Sequence, residues 1–123
     1  MEYHEAALAI FRELRTIAEV GYTLAELGRV NMRLGRLDAA NEALTEAENL
    51  LYNAGDALCL GVALCYRAHY YSMKGDFQQA GECLAQAKSK NEETGAGDDS
   101  LLGIKIAHAT TAVEQAEKDA SAT

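Results

Sequence analysis

Cys65 and His69 stand four residues apart. On a helix that spacing brings a thiolate and an imidazole to one face as prospective zinc ligands, and His108 on a neighbouring helix could add a third. A zinc site needs more than two good ligands, and the chain has no HExxH, no CxxC and no second Cys/His pair. Neither a metal nor a cofactor is therefore expected. Arg29 and Arg33 share the same spacing, and two guanidinium forks on one face could receive a carboxylate or an acidic peptide. Pairing with Glu26 in solvent is the plainer alternative. Tyr66, Tyr70 and Tyr71 offer rings that could stack on a ligand, although aromatic residues at helical spacing commonly fill a seam between helices, which is the place expected for Tyr71. Catalytic signatures are missing: there is no GxSxG, no GxxxxGK[ST] and no GxGxxG, and the carboxylate pairs Glu92/Glu93 and Asp98/Asp99 fall in polar loops, where they are solvated or capping residues. No enzymatic activity is expected from such a set.

These side chains must be carried by helices. The 123-residue chain has no proline, is 49 % hydrophobic, and is dominated by Ala, Leu and Glu in its long stretches. Runs of β-branched residues that would signal strands are lacking, so the expected class is all-α in a single domain. Those helices repeat. Residues Gly21–Ala47 and Gly61–Ala87 align at an offset of 40 residues throughout, pairing Gly21 with Gly61, Leu24 with Leu64, Gly28 with Ala68, Gly35 with Gly75, Ala40 with Ala80 and Leu44 with Leu84. A fainter copy begins at Gly103, 42 residues after Gly61, with Ile106 in the place of Leu64. A truncated one opens the chain, where EYHEAALAIF aligns with RLDAANEALT and DFQQAGECLA.

Gly35 and Gly75 lie where a left-handed residue ends a helix, Asp76 follows as an N-cap, Gly55 with Asp56 does the same between units, and Asp98, Asp99 or Ser100 can cap the last helix. The expected helices are 2–14, 16–34, 37–52, 56–74, 77–92 and 100–118, followed by a disordered tail at 119–123. Leu24, Leu27, Gly28 and Asn31 share one face, as do Leu64, Ala68 and Tyr71, and no hairpin has enough apolar surface to stand alone. The units must stack. His4 is expected at the surface.

The pattern resembles the tetratricopeptide repeat over roughly residues 1 to 113: Leu27, Gly28, Gly35, Ala40, Leu44 and Ala47 match its motif in one unit, and Ala68, Tyr71, Gly75, Ala80, Leu84 and Ala87 in the next. Arg67 stands where that family has Leu, and Asn31 where it has an aromatic. The resemblance implies antiparallel helix hairpins stacked as a short right-handed superhelix, with a partial repeat at 1–14, repeats at 16–52 and 56–92 and a terminal helix at 100–118. It also implies that the first helix of each hairpin lines a concave surface that binds a protein or peptide segment. Tyr22, Ala25, Arg29, Met32 and Arg33 would come from one repeat, and Val62, Cys65, Tyr66, His69, Ser72 and Met73 from the next. Ile104, Ala107, His108 and Thr111 would follow from the last helix. Within that set Tyr22, Arg29, Met32, Arg33, Tyr66, His69, Met73 and His108 are the expected binding residues. The family's carboxylate clamp uses Lys and Asn at positions that hold Ala25, Arg29 and Tyr66 here, so that mode is not expected. The longer spacing and phrases such as ALAIFREL are similar to repeats in large bacterial regulators, which implies a regulatory or scaffolding fragment of a larger protein.

A net charge of −8 without a basic stripe excludes nucleic acid and acidic membranes as partners. No apolar run approaches a bilayer span and the N-terminus is not signal-like, so a cytoplasmic setting is expected. The three cysteines, odd in number and in no CxxC spacing, fit reduced, buried thiols. A start in mid-repeat would leave Leu8, Ile10 and Phe11 uncovered, and the alternative to a peptide ligand is self-association as a homodimer through that open end.

Overall fold

A computed structural model describes residues 2–122, with side chains from Glu5 to Ala122; His4, Met1 and Thr123 fall outside the described side chains. Among the described residues there are five helices and no strand: α1 (Glu2–Arg33), α2 (Leu37–Ala54), α3 (Ala57–Met73), α4 (Phe77–Thr94) and α5 (Leu101–Ser121). The class is all-α. None of these helices is long and apolar enough to cross a membrane.

The helix ends follow from the glycines and the residues after them. Gly55 takes φ 70°, and Asp56 then caps α3 by accepting a bond from the Cys59 amide at 2.9 Å. A left-handed φ strains any residue with a Cβ, so glycine at this point stops the helix and the aspartate starts the next. The same pairing of a glycine stop with a side-chain cap recurs at Asp76, which accepts from Gln79 at 3.2 Å, and Ser100 caps α5 through the Gly103 amide at 3.0 Å. The start of α2 differs: Arg36 occupies the cap position and makes no capping bond.

Two sequence expectations change here. The helices expected at 2–14 and 16–34 are one continuous helix. The residue 40 positions before Gly55 is Arg15, and Thr16 stands in the place of Asp56; Thr16 spends its hydroxyl on the Arg12 carbonyl at 2.9 Å. Nothing stops the helix there. At the other end α5 runs to Ser121 rather than fraying from 119, and Glu92 and Glu93 lie in the last turn of α4, where Glu93 pairs with Lys90 at 3.1 Å.

Consecutive helices fold back on each other as hairpins. α1 lies along α2, α3 along α4, α3 also packs on α1 and α2, and α5 closes the far side against α3 and α4. The close approach of α1 and α2 depends on small residues: a Cβ on Gly28 would sit 2.8 Å from Cγ of Leu44, and one on Gly21 2.8 Å from Cγ of Leu51. The core is an alanine-rich seam of Ala25, Ala40, Ala47, Ala63, Ala68, Ala80 and Ala87 filled by Leu44, Leu51, Leu84 and Leu102. Short side chains in the seam let neighbouring helices approach, and the leucines fill what remains. The stripe expected on α1 is buried only in part, since Gly28 is buried whereas Leu27 is 50 % exposed.

Candidate functional site

Two depressions lie on opposite sides of α3. On the first side Arg29, Met32 and Arg33 of α1 and Tyr66, His69 and Met73 of α3 line a cavity of about 320 Å³. These are six of the eight expected residues. Tyr22 lies a turn away beside Glu26, 36 % exposed, and does not line the cavity. His108 is exposed on α5 and is not among the lining residues either. Ala25, Val62 and Cys65, which the resemblance placed in the groove, are 0 %, 2 % and 2 % exposed and belong to the core.

A polar network joins three helices along this face. The Tyr66 hydroxyl donates to Oε1 of Glu26 at 2.6 Å, while Arg29 donates to Oε2 of the same carboxylate from Nε at 2.9 Å and approaches it with its terminal nitrogen at 2.8 Å. Arg29 also lies 5.9 Å from the centre of the Tyr66 ring. From α5 comes Lys105, which donates to the Tyr66 hydroxyl at 3.4 Å and sits 5.5 Å from its ring centre. Burial works to raise the Glu26 pKa, but the bonds from Tyr66 and Arg29 outweigh it and the pKa is lowered. Burial and the Glu26 bond together raise the Tyr66 pKa. His69, half-buried, has its pKa lowered by burial, which leaves the imidazole neutral at pH 7.

The electrostatic result is local. Arg29, Arg33 and Lys105 place three cations against the single carboxylate of Glu26 on this face, although the chain as a whole carries −8. Arg33 has no ion-pair partner among the described residues. Met73, 53 % exposed, supplies most of the apolar surface, while Met32 and Tyr66, 5 % and 6 % exposed, belong to the core and form the floor of the cavity. Such a surface can take a carboxylate on Arg33 and an adaptable apolar contact on the thioethers.

The second depression was not foreseen. It lies between α2 and α4 over α3, about 750 Å³, and its floor holds Arg67. Arg67 is only 6 % exposed and fully engaged: Nε and a terminal nitrogen bond the two oxygens of Glu48 at 3.2 and 3.3 Å, and further donors reach Asn41 at 2.6 Å and Thr45 at 2.9 Å. Its guanidinium also lies 5.1 Å from the Tyr70 ring and 5.9 Å from that of Tyr71. The residue read as a departure from a leucine position is thus a polar tie between the hairpins. A signal existed in the sequence, because Asn41, Thr45 and Glu48 form a polar stripe at i, i+4, i+7 on α2.

The thiols are poor nucleophiles. Burial raises Cys65 and Cys83 to about 11, and burial together with the Asp56 carboxylate raises Cys59 to about 12, so all three stay protonated at neutral pH. Cys59 is only half-buried, against the expectation that all three thiols are core. Among the described residues no group of three or more His, Cys, Asp or Glu side chains converges to hold a metal ion.

Compared with protein-family models, with curated proteins and with solved structures, the chain finds no match.

Proposed function

We propose that this chain is a tetratricopeptide-type repeat, a short right-handed stack of helix hairpins, that binds an acidic protein or peptide segment on the concave face of α1, α3 and α5. It acts as a non-enzymatic interaction module. The observation that carries the reading is the groove of Arg29, Met32, Arg33, Tyr66, His69 and Met73, drawn from the first helix of two successive hairpins. Its excess of positive charge in a chain of net −8 gives it a preference that the rest of the surface lacks. An acidic segment with one apolar side chain fits: carboxylates meet Arg33 and the outer edge of Arg29, and the apolar group meets Met32 and Met73.

Glu26 keeps the groove in shape. By holding Arg29 and the Tyr66 hydroxyl together, it fixes both side chains before a ligand arrives and reduces the ordering cost of binding. The test is an array of short peptides rich in Asp and Glu, each bearing one Leu or Phe, beside a matched array rich in Lys and Arg. Selective retention on the acidic array, lost on Arg29→Ala and on Arg33→Ala with helix content unchanged, is expected. Equal retention on both arrays would remove the charge argument and with it this reading.

A further inference from the structure

Among the described residues α2 and α4 both pack on α3 but not on each other. The trough of about 750 Å³ left between them is floored by Leu60, Leu64 and Arg67, all buried. Its walls are carboxamides and hydroxyls: Asn41, Thr45 and Asn49 on α2, and Gln79, Gln86 and Ser89 on α4, each exposed. The charged groups that line it are Glu48, Arg67 and Lys90, and each is already paired, Glu48 with Arg67 at 3.2 Å and Lys90 with Glu93 at 3.1 Å. The trough is therefore close to neutral, in contrast to the cationic face on the other side of α3.

Arg67 sets what part of this wall can offer. A guanidinium has donors and no acceptor, so it engages Asn41 through Oδ1 at 2.6 Å and Thr45 through Oγ1 at 2.9 Å. The amide hydrogens of Asn41 and the hydroxyl hydrogen of Thr45 are left for a ligand. Thr16, Thr23, Thr110 and Thr111 return their hydroxyls to a carbonyl one turn back, whereas Thr45 makes no such bond among the described residues. The side chains of Asn49, Gln79 and Gln86 make no hydrogen bond to another described residue either, and the Arg67 tie does not account for them.

The spacing of these groups matches an extended chain. Asn41, Thr45 and Asn49 recur every four residues, roughly 6 Å along α2, and a strand presents the same edge of its main chain every second residue, roughly 6.7 Å. A carboxamide holds a donor and an acceptor side by side and can engage the C=O and N–H of peptide units. From Asn41 to Tyr52 and from Gln79 to Lys90 each wall runs roughly 16 Å, room for about five extended residues. At the Tyr52 end an adjoining cavity of about 190 Å³, walled in part by Tyr52, Ala57 and Leu60, has space for one apolar side chain.

We propose that this trough is a second binding site, which takes a neutral segment of another protein in extended conformation and holds it by its main chain between the amide rows of α2 and α4. Carbonyls of the segment accept from Asn41 and Thr45, Asn49 and Gln86 pair with peptide units further along, and one apolar side chain enters the cavity beside Tyr52. A carboxylate laid in the trough would lose water and meet no unpaired cation, so the acidic segment proposed for the opposite face is disfavoured here. The two sites share no residue, and each can be lost without the other.

The probes are heptapeptides blocked at both ends, built from Ser, Thr and Asn with one Leu or Val, and titrated into the full chain labelled with nitrogen-15. Recognition through the main chain tolerates many side chains, so such a set samples the site fairly. The same peptides N-methylated at alternate main-chain nitrogens serve as controls. The side-chain amide resonances of Asn49, Gln79 and Gln86 are expected to shift. Asn49→Ala with Gln86→Ala, which places a good helix former at two exposed helix positions, is expected to weaken binding about tenfold, as is N-methylation. Arg33→Glu and added salt are expected to leave it unchanged. Resonances that stay still at every peptide concentration overturn the proposal. So does binding that survives the double variant or the N-methyl groups, and so does binding that is lost on Arg33→Glu.

Discussion

Glu26 and Arg67 are the two residues on which the polar structure of the chain turns. Glu26 is held ionised by Tyr66 and Arg29 against the effect of its burial, and its pKa lies below the ordinary value. Such a group stabilises the fold above its unfolded pKa, and that contribution is lost as the pH falls through the folded pKa. Replacing Tyr66 by Phe removes one of the two donors, so the Glu26 pKa is expected to move up towards the ordinary glutamate range, a change that a carboxyl NMR titration reads directly. Arg67→Ala is expected to cost about 3 kcal/mol in chemical denaturation, because Glu48 is left against α3 without its cation. Only part of this was legible in the sequence. Arg29 and Arg33 were visible as a spaced pair, and the pairing of Arg29 with Glu26 was the plain alternative that the structure adopts. Lys105 was not visible, because aligning Gly103 with Gly61 set His108 against Tyr66. The packing of α5 instead brings forward a residue three positions earlier, a rotation that the spacing of one faint repeat does not fix.

The helices end where a glycine can take a left-handed φ and begin where a short polar side chain can cap, and these positions were readable before the fold. The break after Leu14 was not real, because its expectation rested on repeat alignment while the residues at 15 and 16 lack the chemistry to stop a helix. That contrast carries two tests. Arg36 is an uncapped helix start between otherwise equivalent capped ones, so Arg36→Asp is expected to stabilise the fold by about 1 kcal/mol, read as a shift in the denaturation midpoint. Gly28→Ala is expected to destabilise it by roughly 1–3 kcal/mol, since the new Cβ would lie 2.8 Å from Cγ of Leu44, a side chain with no exposed surface and no room to withdraw.

At the scale of the whole molecule, α3 is the common wall of two faces with different tasks. On one side the Arg67 cluster ties successive hairpins together; on the other, Arg29, Arg33 and Lys105 concentrate positive charge on the face of a chain that is otherwise strongly acidic. Binding there should weaken as salt screens the attraction. The most direct measurement is the affinity of an acidic peptide selected from the array for the wild type and for Arg33→Glu, which reverses a groove cation that makes no ion pair among the described residues. Loss of binding on Arg33→Glu, with a salt-dependent affinity for the wild type, is the predicted result. Unchanged affinity in the variant would contradict the assignment of the groove as the binding site.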